Sequence, residues 1–159
     1  MTLEISNSAE IDEAFMREAL ELARQAADAG EVPIGAVAVL NGAIIGRSRN
    51  RVEEMKSAIA HAEILAMEEA AKHIGDWRLD NVTIYVTKEP CAMCAGAMVN
   101  ARVERVVFGL HDPRSGCAGG ALDITGFSGM LHQVETAGGV LEDECRTLIQ
   151  DFFRKVRKK

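Results

Sequence analysis

Two short stretches thirty residues apart constrain this chain more than anything else in it: Ala60-His61-Ala62-Glu63, which opens an Ala-rich run, and Pro90-Cys91-Ala92-Met93-Cys94, which opens another. Zn²⁺ favours thiolate and imidazole donors, and a catalytic zinc site takes three protein ligands and leaves a fourth position to water. His61, Cys91 and Cys94 make such a set, with Glu63 left over as a general acid/base. Cys91 and Cys94 are three apart, so on a helix they share a face and can grip one ion from its first turn. His61 and Glu63 are two apart, which in a helix interior would turn them about 200° from each other. They can converge only at a helix end. The spacing therefore predicts two helix N-termini meeting at one metal, their positive ends favouring thiolates and a zinc-bound hydroxide.

A zinc ribbon-type staple is the competing reading of the same donors. It needs a fourth ligand, and the spare cysteines, Cys117 and Cys145, are not at ligand spacing from either pair. They are expected to be free thiols packed as small hydrophobes. His-x-Glu alone would be a weak signal, since a His in an Ala-rich helix is more often an ordinary packed or surface residue. Joined to Pro-Cys-x-x-Cys, it becomes specific.

At 159 residues and 48% hydrophobic, the chain can bury one good core and has little length for a second, so one domain over 1–159 is expected. No stretch approaches the roughly 18 apolar residues of a membrane helix, and the start Met1-Thr2-Leu3-Glu4-Ile5 lacks the order of a signal peptide. No membrane and a cytoplasmic location are the expectations, and there a C-x-x-C stays reduced and binds metal. The net charge of −6 argues at first against a nucleic-acid partner. Its distribution is uneven. Residues 1–31 carry eight acids against Arg17 and Arg24, the rest of the chain balances, and it ends Arg154-Lys155-Val156-Arg157-Lys158-Lys159. Read by itself, that basic tail is a solvated solubility feature.

Along the chain, Ile11, Phe15, Leu22 and Ala26, with Ala19 and Ala23 between them, fall at helical spacing to about residue 29, and Gly30 is a stop. Val32 to Leu40 reads as a buried strand, Asn41-Gly42 as a hairpin turn, and Ala43 to about Ser48 as the partner strand. Arg49 to Ser57 reads as a polar connection. Helix is expected from about Ala58 to Ile74, closed by Gly75, and again from Pro90. Val82 to Val86, Val103 to Phe108 and His132 to Thr136 supply further strands. Gly109 to Gly129 reads as a long functional loop with a helical turn near Leu122, and Leu141 to Lys158 as a terminal helix. Strands alternating with helices after a hairpin predict an α/β fold: a three-layer α/β/α sandwich with a central mixed five-stranded sheet.

The full pattern, H-x-E…P-C-x-x-C, is the signature of zinc-dependent nucleobase deaminases. Zinc lowers the pKa of water enough to give hydroxide near neutrality. Hydroxide would attack a ring carbon bearing an exocyclic amine while Glu63 moves protons to the ring nitrogen and then to the departing ammonia. Further segments, Glu31-Val-Pro-Ile-Gly-Ala-Val, Trp77-Arg-Leu, Thr83-Ile-Tyr-Val-Thr, Glu89-Pro-Cys-Ala-Met-Cys-Ala-Gly-Ala-Met, Arg105-Val-Val-Phe-Gly and Asp151-Phe-Phe-Arg, extend the likeness over about 10–157. On these residues the chain resembles the bacterial tRNA-specific adenosine deaminases. That resemblance implies a cytidine-deaminase-like fold, a cytoplasmic homodimer with one zinc per subunit, and conversion of the wobble adenosine of an arginine tRNA anticodon to inosine.

By the same resemblance His61, Cys91 and Cys94 are ligands and Glu63 the proton shuttle. Asn50 matches an asparagine that reads the flipped base, and Asp112 an acidic residue near the ribose, where a carboxylate can accept from a 2′-OH. Phe153, Arg154 and Arg157, with Lys155, match a terminal helix that contacts the anticodon stem-loop, which turns the tail from a solubility feature into an RNA contact. Glu89 belongs to the shared motif, with bracing of its loop as its expected part. One departure is Ser57-Ala58-Ile59, where many relatives carry Asp-Pro-Thr; it leaves the ligands untouched and bears on the wall of the base pocket. The alternative is a deaminase of a free base or nucleoside such as guanine or cytosine, which uses the same zinc motif.

Overall fold

The computed structural model describes residues 2–157, with side chains from Ser8 onward. Its strands are β1 (Gly35–Leu40), β2 (Ala43–Arg49), β3 (Thr83–Lys88), β4 (Arg105–Leu110) and β5 (Glu135–Ala137). The helices are α1 (Thr2–Asp28), α2 (Val52–Met55), α3 (Ala62–Ile74), α4 (Ala92–Asn100) and α5 (Glu142–Arg157). The sheet runs β2-β1-β3-β4-β5, with β1 antiparallel to both neighbours and β3, β4 and β5 mutually parallel. It is the expected mixed five-stranded sheet.

Alternation along the central strands builds the layers, because successive side chains leave a strand on opposite faces. Ala36, Ala38, Ile84, Val86, Val106 and Phe108 pack on one side against Ala62, Ala66 and Met67 of α3 and Met98 and Val99 of α4. Val37, Val39, Tyr85 and Val107 pack on the other against Met16, Ala19 and Leu20 of α1 and Cys145 of α5. A sheet buried on both faces needs such two-sided cover. Met16 and Leu20, fully buried, carry the core face of α1, whereas Ile11 is half exposed. A buried polar knot also ties α1 to the sheet: Arg105 donates two bonds to Asp12, at 3.0 and 2.9 Å, and the Tyr85 hydroxyl a third at 2.7 Å.

The hairpin turn forms at Asn41-Gly42, both at positive φ (51° and 79°), the backbone that a type I′ connection demands. Gly75, at φ 82°, closes α3 in the left-handed cap expected of it. Boundaries elsewhere differ from the sequence reading for identifiable reasons. β1 begins at Gly35 rather than Val32, because Val32 and Ile34 are bonded to each other and to Asn50 in the turn before it. Val82 and Val103 are buried but lie outside the ladder, their N–H groups spent on Leu79 and on Met98 at the end of α4, so β3 and β4 start and end one or two residues later than expected. β5 begins at Glu135, since the ring of His132 is bonded instead to the carbonyl of Val103.

The connection 50–57 holds the short helix α2, ended by Lys56 in the left-handed region. Residues 58–60, read as helical from their alanines, turn instead, and α3 begins only after His61. No helical turn forms at Leu122; the segment from 111 to 134 is irregular, with an isolated bridge between Ala118 and Asp123. α5 matches the expected terminal helix as far as Arg157, while Lys158 lies outside the described residues.

Candidate metal centre and its cleft

Both motif stretches lead into helices, and the first ligand candidate of each is the residue that caps its helix start. His61 precedes α3 in extended conformation (φ −75°, ψ 150°), and Cys91 precedes α4 likewise (φ −74°, ψ 177°). That extended cap swings the His61 ring away from the helix axis, so His61 and Glu63, two apart, approach a common point, while Cys94 follows Cys91 by one turn. The Sγ of Cys91 lies 3.6 Å and that of Cys94 3.5 Å from Nδ1 of His61, and the three donor atoms are within 4.8 Å of one another. α4 begins after Cys91 rather than at Pro90, which puts the first thiol at the cap and the second within the opening turn.

The three side chains perturb one another strongly. Hydrogen bonds from Cys94 and from His61 pull Cys91 down to about 3, and that same thiolate, together with burial, drives Cys94 far above its ordinary range. The bond to Cys91 is also the main reason that His61 is raised. Two thiols this close cannot both ionise unless a positive ion stands between them. A borderline-soft dication is what this donor set fits, and among the described residues the cluster contains three donors and no fourth, as an open site requires. Glu63 is buried, and burial is the chief cause of its raised pKa.

His61 also forms part of the wall of a cleft of about 480 Å³ lined by Glu31, Val32, Asn50, Phe152 and Val156, among others. Asn50 is buried, donating from Nδ2 to the Val32 carbonyl at 3.2 Å and accepting from the Val52 N–H at 3.3 Å. The residue lines the cleft with one donor and one acceptor of its amide engaged. Asp112 stands at the mouth of a turn, its carboxylate accepting from the N–H of Arg114 and of Ser115, from the Ser115 hydroxyl at 2.6 Å, and from the Lys88 ammonium at 3.2 Å. Although partial burial works the other way, these donors hold Asp112 well below the usual carboxylate range. On α5 it is Phe152 that lines the cleft, with Phe153 edge-on to it and partly exposed. Arg154 is exposed and paired to Asp151 at 3.0 Å, and Arg157 is exposed.

Two acids to which the spacing of the motifs gives no role shape this region. Glu31, buried, accepts the N–H groups of Glu53 and Glu54 at 2.9 and 2.8 Å and so fastens the start of α2. Glu89, buried, accepts from three backbone N–H groups of the segment 112–120. A carboxylate bonded to main chain so far along the sequence leaves no periodic trace: the bracing expected of Glu89 came from the shared motif alone, and Glu31, beside Val-Pro-Ile, carried no expectation of its own.

A mixed sheet of this order, carrying its donors at two facing helix starts, is the cytidine-deaminase-like class of deaminase. Residues 10–157 match the family of MafB19-like deaminases. The tRNA-specific adenosine deaminase of Bacillus subtilis (strain 168) is 51% identical over 148 residues, which cover 93% of this chain and 92% of the relative. A solved structure from work on A-to-I editing by tRNA:A34 deaminases at the wobble position superposes with a TM-score of 0.82 at 39% identity, over 85% of this chain and 98% of the other. A guanine deaminase from Nitrosomonas europaea shares the fold at 25% identity and a TM-score of 0.76, over 88% of this chain and 83% of that one. The chain belongs to the family of the tRNA-specific adenosine deaminases, and it is an enzyme.

Proposed function

We propose that this chain is a zinc-dependent hydrolytic deaminase that converts the wobble adenosine of a tRNA anticodon, that of an arginine tRNA, to inosine. The observation that carries the reading is the convergence of His61, Cys91 and Cys94 beside a buried glutamate, in a chain 51% identical to a tRNA-specific adenosine deaminase. His61 through Nδ1, and Cys91 and Cys94 as thiolates, would hold the ion. When bound, Zn²⁺ supplies a Lewis acid that makes water acidic near neutrality.

The protein's own part is proton movement and grip. Glu63 takes a proton from the attacking water, gives it to the ring nitrogen next to the carbon under attack, and passes a second to the exocyclic amine, which leaves as ammonia while the ring carbon keeps the oxygen. Burial raises its pKa above the ordinary carboxylate value, the direction that favours its holding a proton for transfer. Asn50, at the cleft wall, would read the extruded base, and Asp112 the ribose hydroxyl. Phe153, Arg154 and Arg157 would meet the anticodon stem-loop, the cations by counterion release from its phosphates. The reading includes a cytoplasmic homodimer.

The likeness to a guanine deaminase favours a second reading, a free-base activity. The two part cleanly in one experiment, in which the zinc-loaded protein is incubated separately with an arginine tRNA anticodon stem-loop, with guanine and with cytidine. Inosine in the RNA is the expected product. Ammonia released from a free base alone would overturn the reading.

A further inference from the structure

Glu89 stands immediately before Pro90 and Cys91, yet its side chain points away from the metal donors and into the segment that carries Asp112. Oε1 accepts from the N–H of Asp112 at 2.9 Å, and Oε2 from Ala118 at 3.0 Å and Gly120 at 2.7 Å. Two further bonds run alongside: the Glu89 N–H donates to the carbonyl of Leu110, and the Cys117 N–H to that of Pro90. The chain has been fitted around this carboxylate. A Cβ at Gly120 would lie 2.6 Å from Oε1 and 2.5 Å from the Asp112 carbonyl, and one at Gly116 would also run into the carboxylate. A surface loop needing only to be closed would not require a buried charge met by three amides.

We propose that Glu89 is a positioning residue, whose carboxylate fixes the 112–120 segment, and Asp112 with it, at a set distance from the helix start that bears Cys91 and Cys94. It touches neither substrate nor metal. The inference rests on the functional reading above for its substrate and for Asp112 as a contact to it. Binding contributed by the segment is then made equally in ground and transition states, so its loss appears in KM rather than kcat.

The test uses the zinc-loaded full chain and two variants that attack one contact from opposite sides, Glu89→Gln and Gly120→Ala. Expected are about one zinc per chain and an unchanged Co²⁺-substituted spectrum. KM for the anticodon stem-loop should rise about tenfold, as for the loss of one charge-assisted bond, with kcat within about threefold. The double variant should be no worse than the poorer single one. KM unchanged in both variants, a loss confined to kcat and metal content, or multiplicative effects in the double variant would each overturn the proposal. If Glu89→Gln does not fold, Glu89→Asp, which keeps the charge and shortens its reach, decides it by the same KM. If the wild type makes no inosine, the functional reading falls separately, and amide exchange decides the positioning role: faster exchange at Ala118 in both variants with metal retained supports it, and unchanged exchange refutes it.

Discussion

With Glu63 as the proposed proton carrier, Glu63→Gln should separate catalysis from structure at a single atom. The change keeps the volume and the fold of a side chain only 4% exposed and removes its capacity to take up and release a proton. General acid/base catalysis contributes on the order of 10² to 10⁴ in rate, which is about 2.7–5.4 kcal/mol of barrier. Because the carboxylate is desolvated, no bulk water stands in its place, and the loss should fall toward the upper end of that range. Stability should move the other way. Burial raises the Glu63 pKa from 4.5, so in metal-free protein its contribution is fully present below that ordinary value and is lost as pH rises through the raised one. The melting temperature of metal-free Glu63→Gln should therefore gain on the wild type as pH is raised across that window. Single-turnover inosine formation at saturating RNA, with zinc measured on the same sample, reads the first effect. A variant that keeps zinc and more than about a tenth of wild-type turnover would refute the assignment of Glu63 as proton carrier.

Stripping by chelation the zinc that the site is proposed to hold should leave Cys91 a thiolate, its pKa about 3, and so the first cysteine to react with a disulfide reagent at neutral pH; Cys145, buried and pushed up to about 12, should stay unmodified until the chain unfolds, as peptide mapping will report. Asp12→Ala strands Arg105 and the Tyr85 hydroxyl beneath α1 and should cost about 2–3 kcal/mol by urea denaturation, less than a fully buried pair because the Arg105 side chain is 27% exposed. Replacing Arg154 and Arg157 by Ala should lower the salt slope of stem-loop binding by about 0.7 for each phosphate no longer neutralised. An unchanged slope would remove the tail from the RNA-binding surface.

How much of this was legible in the sequence depends on how far each residue's partner lies along the chain. His61 and Glu63 could be placed at a helix end because their spacing allows no other convergence, and Asn41-Gly42 could be placed in a turn because its backbone requirement is local. Residues 58–60 misled because alanine favours helix, whereas His61 must stay extended to cap α3. Val82 and Val103 look like strand residues and are buried as strand residues are, but their N–H groups pair outside the ladder. α2 and the 112–120 segment were least legible, since each is held by a carboxylate more than twenty residues away. The side of α5 that meets the cleft turned on one residue of helical phase, which distinguishes Phe152 from Phe153.

The parallel pairing of β5 with β4 has a price for the chain that works to the enzyme's advantage. A parallel neighbour can be reached only by travelling back along the whole length of the sheet, so 111–134 had to be long whatever it did. That obligatory return leaves from the strand ends beside Cys91. Sequence change in a detour of this kind can be absorbed while the three donors, anchored on two other helix starts, keep their places.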